Sequence, residues 1–235
     1  MAATALQRGT KPEVLYPEFD GEPKDKNTIQ YQYIGAIQVG LDAMLARNPD
    51  VFVAADLLWY PVEGRPDIKN TTDVMVAFGR PKGARGSYRQ WEEGGVTPQV
   101  VFKITSPGAT IAGIRSKRMF YSRYGVAEYY EYDPEIGMLE VWTRQKGVLR
   151  NAFIDAEWRS PLLGVTLKIE TNGELSVYRP NGERFLRPVE IKALDDLSEA
   201  RAERWRNRAE LERERAERLA AKLRELGIDP EQIDG

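Results

Sequence analysis

Apolar positions along this chain change their spacing several times, and each change marks an element. Ile29, Tyr33, Ala36, Ile37, Leu41, Met44 and Leu45 recur every three or four residues, which lines one face of a helix. Asn27-Thr28 caps its start and Asn48-Pro49-Asp50 breaks it, so a helix is predicted to run to about Arg47. Val51–Tyr60 is rich in β-branched and aromatic residues and reads as a strand containing Asp56. After a Pro/Gly-containing connection over 61–72, a second strand opens on an acid, Asp73-Val74-Met75-Val76-Ala77-Phe78. A third, Gln99-Val100-Val101-Phe102-Lys103-Ile104-Thr105, holds one charge among apolar residues and ends at Ser106-Pro107-Gly108. Continuous apolar strands are buried on both faces, and a charge inside one is costly without a partner or a task.

Between the second and third strands, 79–98 is predicted as a long loop carrying Arg80, Lys82, Arg85, Tyr88, Arg89 and Trp91. A short helix follows the third strand from about Gly113 to Tyr124, with Gly125 placed as its C′ residue. Glu128–Tyr132 forms another strand, closed by Asp133-Pro134. From Leu139 to about Phe185, strand-like pieces alternate with the hairpin signals Asn172-Gly173 and Asn181-Gly182. The composition then shifts to Arg, Glu, Ala and Leu. There Ile191, Ser198, Ala202, Trp205, Ala209, Ala216, Leu219, Leu223 and Leu226 form one coiled-coil seam, interrupted by Asp195 and Glu212. The predicted organisation is an extended lead-in over 1–27, a core domain over 28–189, a charged helical tail over 190–226 and a flexible end over 227–235.

Composition narrows the chemistry. The chain has 235 residues, 42% of them hydrophobic, enough for one substantial core and an appendage. Its net charge of −2 gives no global field to gather nucleic acid, so any polyanion must meet a local basic patch. With no cysteine and no histidine, disulfides, thiolate nucleophiles, Ser-His-Asp arrangements and zinc held by these residues are excluded. A metal would be held by oxygen ligands, which favours magnesium, calcium or manganese. No apolar stretch is long enough to span a bilayer, and the amino terminus lacks a signal pattern; the expectation is a soluble, cytoplasmic protein.

The candidate chemistry gathers at the strand ends. Hydrolysis of a phosphodiester with hard metal ions needs two or more carboxylates a few ångströms apart, with a lysine nearby to orient water or offset charge. Asp73, position 103 and Lys117 fit that frame, yet position 103 is a lysine. An ammonium has no lone pair for a metal and repels one. Arg80, Lys82, Arg85 and Arg89, interleaved with Tyr88 and Trp91, suit phosphate contact and base stacking, diluted by Glu92 and Glu93. The tail mixes both signs of charge and suits self-association or docking to a partner helix rather than DNA binding.

Asp73-Val74-Met75-Val76, Val100–Pro107, Lys117 with Phe120-Tyr121, Tyr124-Gly125-Val126, Glu128-Tyr129-Tyr130 and Asp133-Pro134 together resemble the Uma-two family. These are restriction-type endonucleases of the PD-(D/E)XK superfamily, and the resemblance runs over roughly 14–190. It implies an α/β fold, with a restriction-endonuclease-like mixed central sheet flanked by helices and, here, a long charged C-terminal helix. It also implies DNA as substrate and Mg2+ or Mn2+ as cofactor. By the same resemblance, Asp73 is the metal-binding acid, although Thr72 stands where the motif usually has proline. Lys117 is the catalytic lysine moved to the following helix. Lys103 replaces the motif glutamate, and Thr105 sits at the superfamily's usual lysine position. Two readings stand side by side. Lys103 pairs with Asp73 as an internal cation and leaves the site inert, or the nuclease centre is rearranged, with Asp56 and Glu63 as compensating acids.

Overall fold

The computed structural model describes residues 14–18 and 28–225, which divide into two compact units at Arg187/Pro188. The expected lead-in, apart from 14–18, and the expected flexible end lie outside the described residues.

The first unit is built on a seven-stranded mixed sheet. Helix α1 (Thr28–Met44) leads into β1 (Val51–Tyr60) and β2 (Asn70–Phe78). The short β3 (Tyr88–Arg89) and β4 (Val100–Ile104) follow, then α2 (Ile111–Arg123) and β5 (Glu128–Asp133). β6 (Met138–Gln145) and β7 (Val148–Ala152) complete the sheet, in the order β3-β1-β2-β4-β5-β6-β7. β4 and β5 run parallel with α2 as their crossover, whereas β2 runs antiparallel to both β1 and β4. β8 (Glu157–Arg159), β9 (Thr166–Ile169) and β10 (Leu175–Tyr178) make a separate three-stranded sheet.

The run 100–104 is apolar on both sides because it is covered on both sides. Val100, Phe102 and Ile104 join a core with Tyr33, Ile37 and Leu41 of α1 and with the small sheet's Leu167, Leu175 and Val177. Val101 belongs to a second core with Met75, Tyr121 of α2 and Tyr129. Thus α1 and the small sheet cover one face and α2 the other. The α1 stripe is as expected except for Ile29, which faces solvent at 52% exposure.

α2 starts where Thr110 accepts a hydrogen bond from the Gly113 amide, and Gly125 follows its C-cap at φ 98°. Gly125 is required there because side chains rarely adopt that conformation. Two expectations change. β2 begins at Asn70 rather than Asp73, because Asn70, Thr71 and Thr72 already pair with Trp59, Leu58 and Leu57. Asp73 therefore sits inside a strand, not at its head. The 79–98 segment is not purely loop either, since Tyr88-Arg89 adds to β1 in parallel and the Tyr88 ring is fully buried.

The second unit contains one helix, α3 (Pro188–Glu225), 38 residues long with none buried. Among the described residues, no helix is long and apolar enough to cross a membrane.

Candidate functional site

The strand register assembles a row of charge across the middle of the large sheet. Lys103 of β4 pairs with Glu131 of β5, and Glu131 pairs with Glu140 of β6. On the other side Val74 pairs with Phe102, which brings Asp73 level with Lys103. Asp56 falls between Ala55 and Leu57, the partners of Val74 and Thr72, and so lies level with Asp73 on β1. Five neighbouring strands thus contribute one charged residue each to a single rung. Asp56 adopts φ 54° there, a left-handed conformation that non-glycine residues hold only where the surroundings impose it.

Asp73 is the most enclosed member, with its side chain 3% exposed and that of Lys103 13% exposed. The Lys103 ammonium donates to Asp73 Oδ2 at 2.8 Å, and the Ile104 backbone N–H donates to the same oxygen at 2.7 Å. The Ile104 carbonyl in turn accepts from Gln30 Nε2 at 2.8 Å, which fixes this strand end against α1. Tyr121 lies under the pair and donates its hydroxyl to the Thr71 carbonyl at 3.1 Å. Burial first, then the Asp73 charge, pushes the Tyr121 phenol well above its usual range, so it stays a neutral donor. Lys117 is half-buried on α2, one turn before Tyr121, and has an interaction partner.

Farther along the rung, Arg118 of α2 bridges two acids, 3.4 Å from Glu131 and 3.1 Å from Glu140, while its guanidinium lies 4.0 Å from the centre of the Trp142 ring. Tyr129 donates to Glu131 at 3.1 Å. Burial raises the Glu131 carboxyl above the usual glutamate range, against the opposing pull of Arg118. Glu131, Glu140 and Arg118 were not among the sequence-predicted site residues. For Glu131 the available signal resembled the one that exposed Lys103, a charge flanked by tyrosines in the middle of the strand Glu128–Asp133.

The remaining predicted candidates do not converge on this rung. Arg80 and Arg85 both bind Glu93, at 2.9 and 2.6 Å, and Arg85 also lies over the Phe52 ring. Lys82 pairs with Asp42 at 2.7 Å and Arg89 with Glu92 at 3.3 Å. Each of the four cations expected to contact phosphate is therefore balanced by a carboxylate within the fold. Hydrogen bonds from Arg85 lead in holding Glu93 below the usual glutamate range, with Arg80 adding to them.

The family model named Uma2, described as "Putative restriction endonuclease", matches residues 21–172. The chain belongs to this family. No curated protein matches it. Among solved structures it is similar to one titled as a putative nuclease belonging to DUF820 from Anabaena variabilis ATCC 29413. That likeness has 11% identity and a TM-score of 0.42, over 59% of this chain and 74% of the other.

Family membership brings the expectation of a divalent cation at Asp73, and the residues present do not fit one. A cation there needs open carboxylate lone pairs facing a common point. Asp73 Oδ2 instead accepts a backbone N–H and a lysine ammonium, and that ammonium stands where a second carboxylate would be needed. Among the described residues, no group of three or more His, Cys, Asp or Glu side chains is arranged to hold a metal.

Proposed function

We propose that this chain is a nuclease-family protein whose core works as a scaffold, with an internal ion pair in place of the metal centre and α3 as the contact element. The observation that carries this reading is the 2.8 Å contact of the Lys103 ammonium with Asp73 Oδ2. A buried carboxylate needs a compensating charge. In a metal-dependent member of the superfamily a cation from solution supplies it; here a side chain of the fold does so, and no open coordination position remains at that oxygen. α3 has no buried residue over its whole length, which suits contact with a second copy of this chain or with another helix.

A second reading keeps residual DNA endonuclease activity with Mg2+ or Mn2+. Its support is the proximity in register of Asp56 and Glu131 to Asp73 and Lys103. Displacement of one lysine would leave carboxylates on neighbouring strands, with Lys117 on the helix behind. The balanced charges of Arg80, Lys82, Arg85 and Arg89 speak against that loop as a strong phosphate clamp.

Plasmid cleavage in magnesium or manganese separates the two. The scaffold reading expects no nicking by the native protein. Cleavage that vanishes on Asp73→Ala would overturn it in favour of the second. Lys103→Glu adds a third carboxylate between Asp73 and Glu131, and is expected to gain divalent-cation binding measured by calorimetry. Native protein binding the same cation equally well would remove the basis for the ion-pair argument.

A further inference from the structure

α3 sorts its residues by direction. At 3.6 residues per turn, Arg201, Arg204, Arg208, Arg215, Arg218 and Lys222 fall on one side. They occupy about 100° of arc. Glu199, Glu203, Glu210, Glu214 and Glu217 gather on a second side. A third side carries Ala202, Trp205, Ala209, Ala216, Leu219 and Leu223. Trp205 is 59% exposed and Leu219 55%, so the apolar seam is uncovered. The ion pairs within the helix, Arg213–Glu217 and Arg218–Glu214, leave Arg201, Arg204, Arg208, Arg215 and Lys222 with no acidic partner among the described residues.

Heptad positions make the consequence specific. With Ala202, Ala209, Ala216 and Leu223 at a, and Ser198, Trp205, Glu212 and Leu219 at d, the g positions are Arg201, Arg208, Arg215 and Lys222. The e positions are Glu199, Arg206, Arg213 and Ala220. In a parallel pair, g of one helix meets the next e of its partner, which opposes Arg201 to Arg206 and Arg208 to Arg213. In an antiparallel pair, g meets g, cation against cation throughout. Either orientation thus sets cations against a second copy, and this is the charge arrangement by which coiled coils reject a partner. A nucleic-acid strand would satisfy the cations but leave Trp205, Leu219 and Leu223 uncovered. In a duplex groove it would also press the acidic sector of Glu203, Glu210 and Glu217 toward phosphates.

We propose that α3 is the docking surface for a different protein, through an amphipathic helix whose apolar seam is edged by acidic residues. This rests on reading α3 as the contact element and identifies what it contacts. The three alanines at a let the partner backbone approach closely, Trp205 supplies the anchor, and the g cations set partner choice. Glu203, Glu210, Glu214 and Glu217 face away from the seam and keep the free helix in solution, while Glu212 interrupts the seam at d.

The test uses the full chain and three probes. These are a synthetic heptad peptide with Leu at a and d and Glu at e and g, the same peptide with Lys at e and g, and a DNA duplex of about three helical turns. The expected result is binding of the Glu-edged peptide at least tenfold tighter than the Lys-edged one, weakening as salt rises. The protein alone should sediment as one chain. Arg201→Glu, Arg208→Glu, Arg215→Glu and Lys222→Glu combined should reverse the peptide preference, and Trp205→Glu should weaken the Glu-edged peptide at least tenfold. Circular dichroism confirms that the variants keep their helix. Self-association abolished by Trp205→Glu would overturn the foreign-partner proposal while sparing the contact-element reading. Duplex binding abolished by the charge reversal, without peptide binding, would overturn it in favour of nucleic acid. Equal indifference to all probes and to Trp205→Glu would sink the contact-element reading as well. Each of these outcomes is independent of plasmid cleavage.

Discussion

The two units of this protein handle charge in opposite ways. In the core, charged side chains are few in the interior and each finds partners there, buried Glu128 through the neutral donors Tyr130, Ser160 and the Leu162 amide and the others through cations. Asp73 is held by Lys103 and a backbone amide, Glu93 by Arg80 and Arg85, and Glu131 and Glu140 by Arg118. In α3, charges are dense, solvated and sorted by face, with most of one cationic stripe unpaired among the described residues. The physical reason is dielectric. A charge removed from water must find a counter-charge or hydrogen-bond donors within the fold, whereas an exposed one can wait for a partner at little cost. Matched charge in the core therefore speaks for stability and against an open reactive centre, while unmatched charge in α3 speaks for binding.

The sharpest way to break that contrast is to unpair the core. Lys103→Met leaves Asp73 buried with its backbone bond alone, and is expected to cost about 3–5 kcal/mol in chemical denaturation. Adding Asp73→Asn should recover most of that loss. A single variant as stable as the native chain would show that Lys103 is not what holds Asp73. Glu93→Gln comes next, since it keeps a hydrogen-bond acceptor but removes the charge shared by two arginines. Its expected cost is about 1–3 kcal/mol, and no change would mean that those arginines find water as good a partner.

Titration separates the buried glutamates Glu93 and Glu131 by sign. Glu93 is lowered on folding, so its contribution is present above the ordinary glutamate range and is lost as pH falls through its lowered value. Glu131 is raised, so its contribution is complete below the ordinary range and is lost as pH rises through its raised value. Glu131→Gln should therefore gain stability relative to the native chain as pH climbs past the ordinary glutamate range. A difference that stays flat from acid to neutral pH would contradict the burial argument. The smallest effect is expected in α3. There Trp205→Glu should change the core's unfolding free energy by less than about 0.5 kcal/mol, because the residue is a surface position; a larger change would mean that α3 is part of the core's packing.

Much of the fold was legible from the sequence because period and punctuation are local. Val51–Tyr60, the apolar run around Lys103, the helix closed by Gly125 and the tail were recovered close to their limits from alternation, helical spacing and turn residues. The start of β2 was misplaced because Asn70-Thr71-Thr72 has little apolar signal of its own. These residues become strand by pairing with β1. Tyr88 looked like a loop aromatic, but it is buried where β3 adds to β1. The basic loop looked available to phosphate because the partner of Arg80 and Arg85 comes from a turn eight or more residues away, beyond the reach of any spacing rule.

The sequence alone determined that a lysine lies inside an apolar strand of a nuclease-family core, and that the tail is a helix dense in charges of both signs with an apolar seam. Both follow from residue identity and from the fixed periods of strand and helix. Only the tertiary structure decided what the lysine meets. Asp73 and Glu131 lie on the two strands flanking β4, far from Lys103 in sequence, and which residues share a rung depends on register. Register is set by the packing of two cores against both faces of the sheet, and no local spacing encodes it.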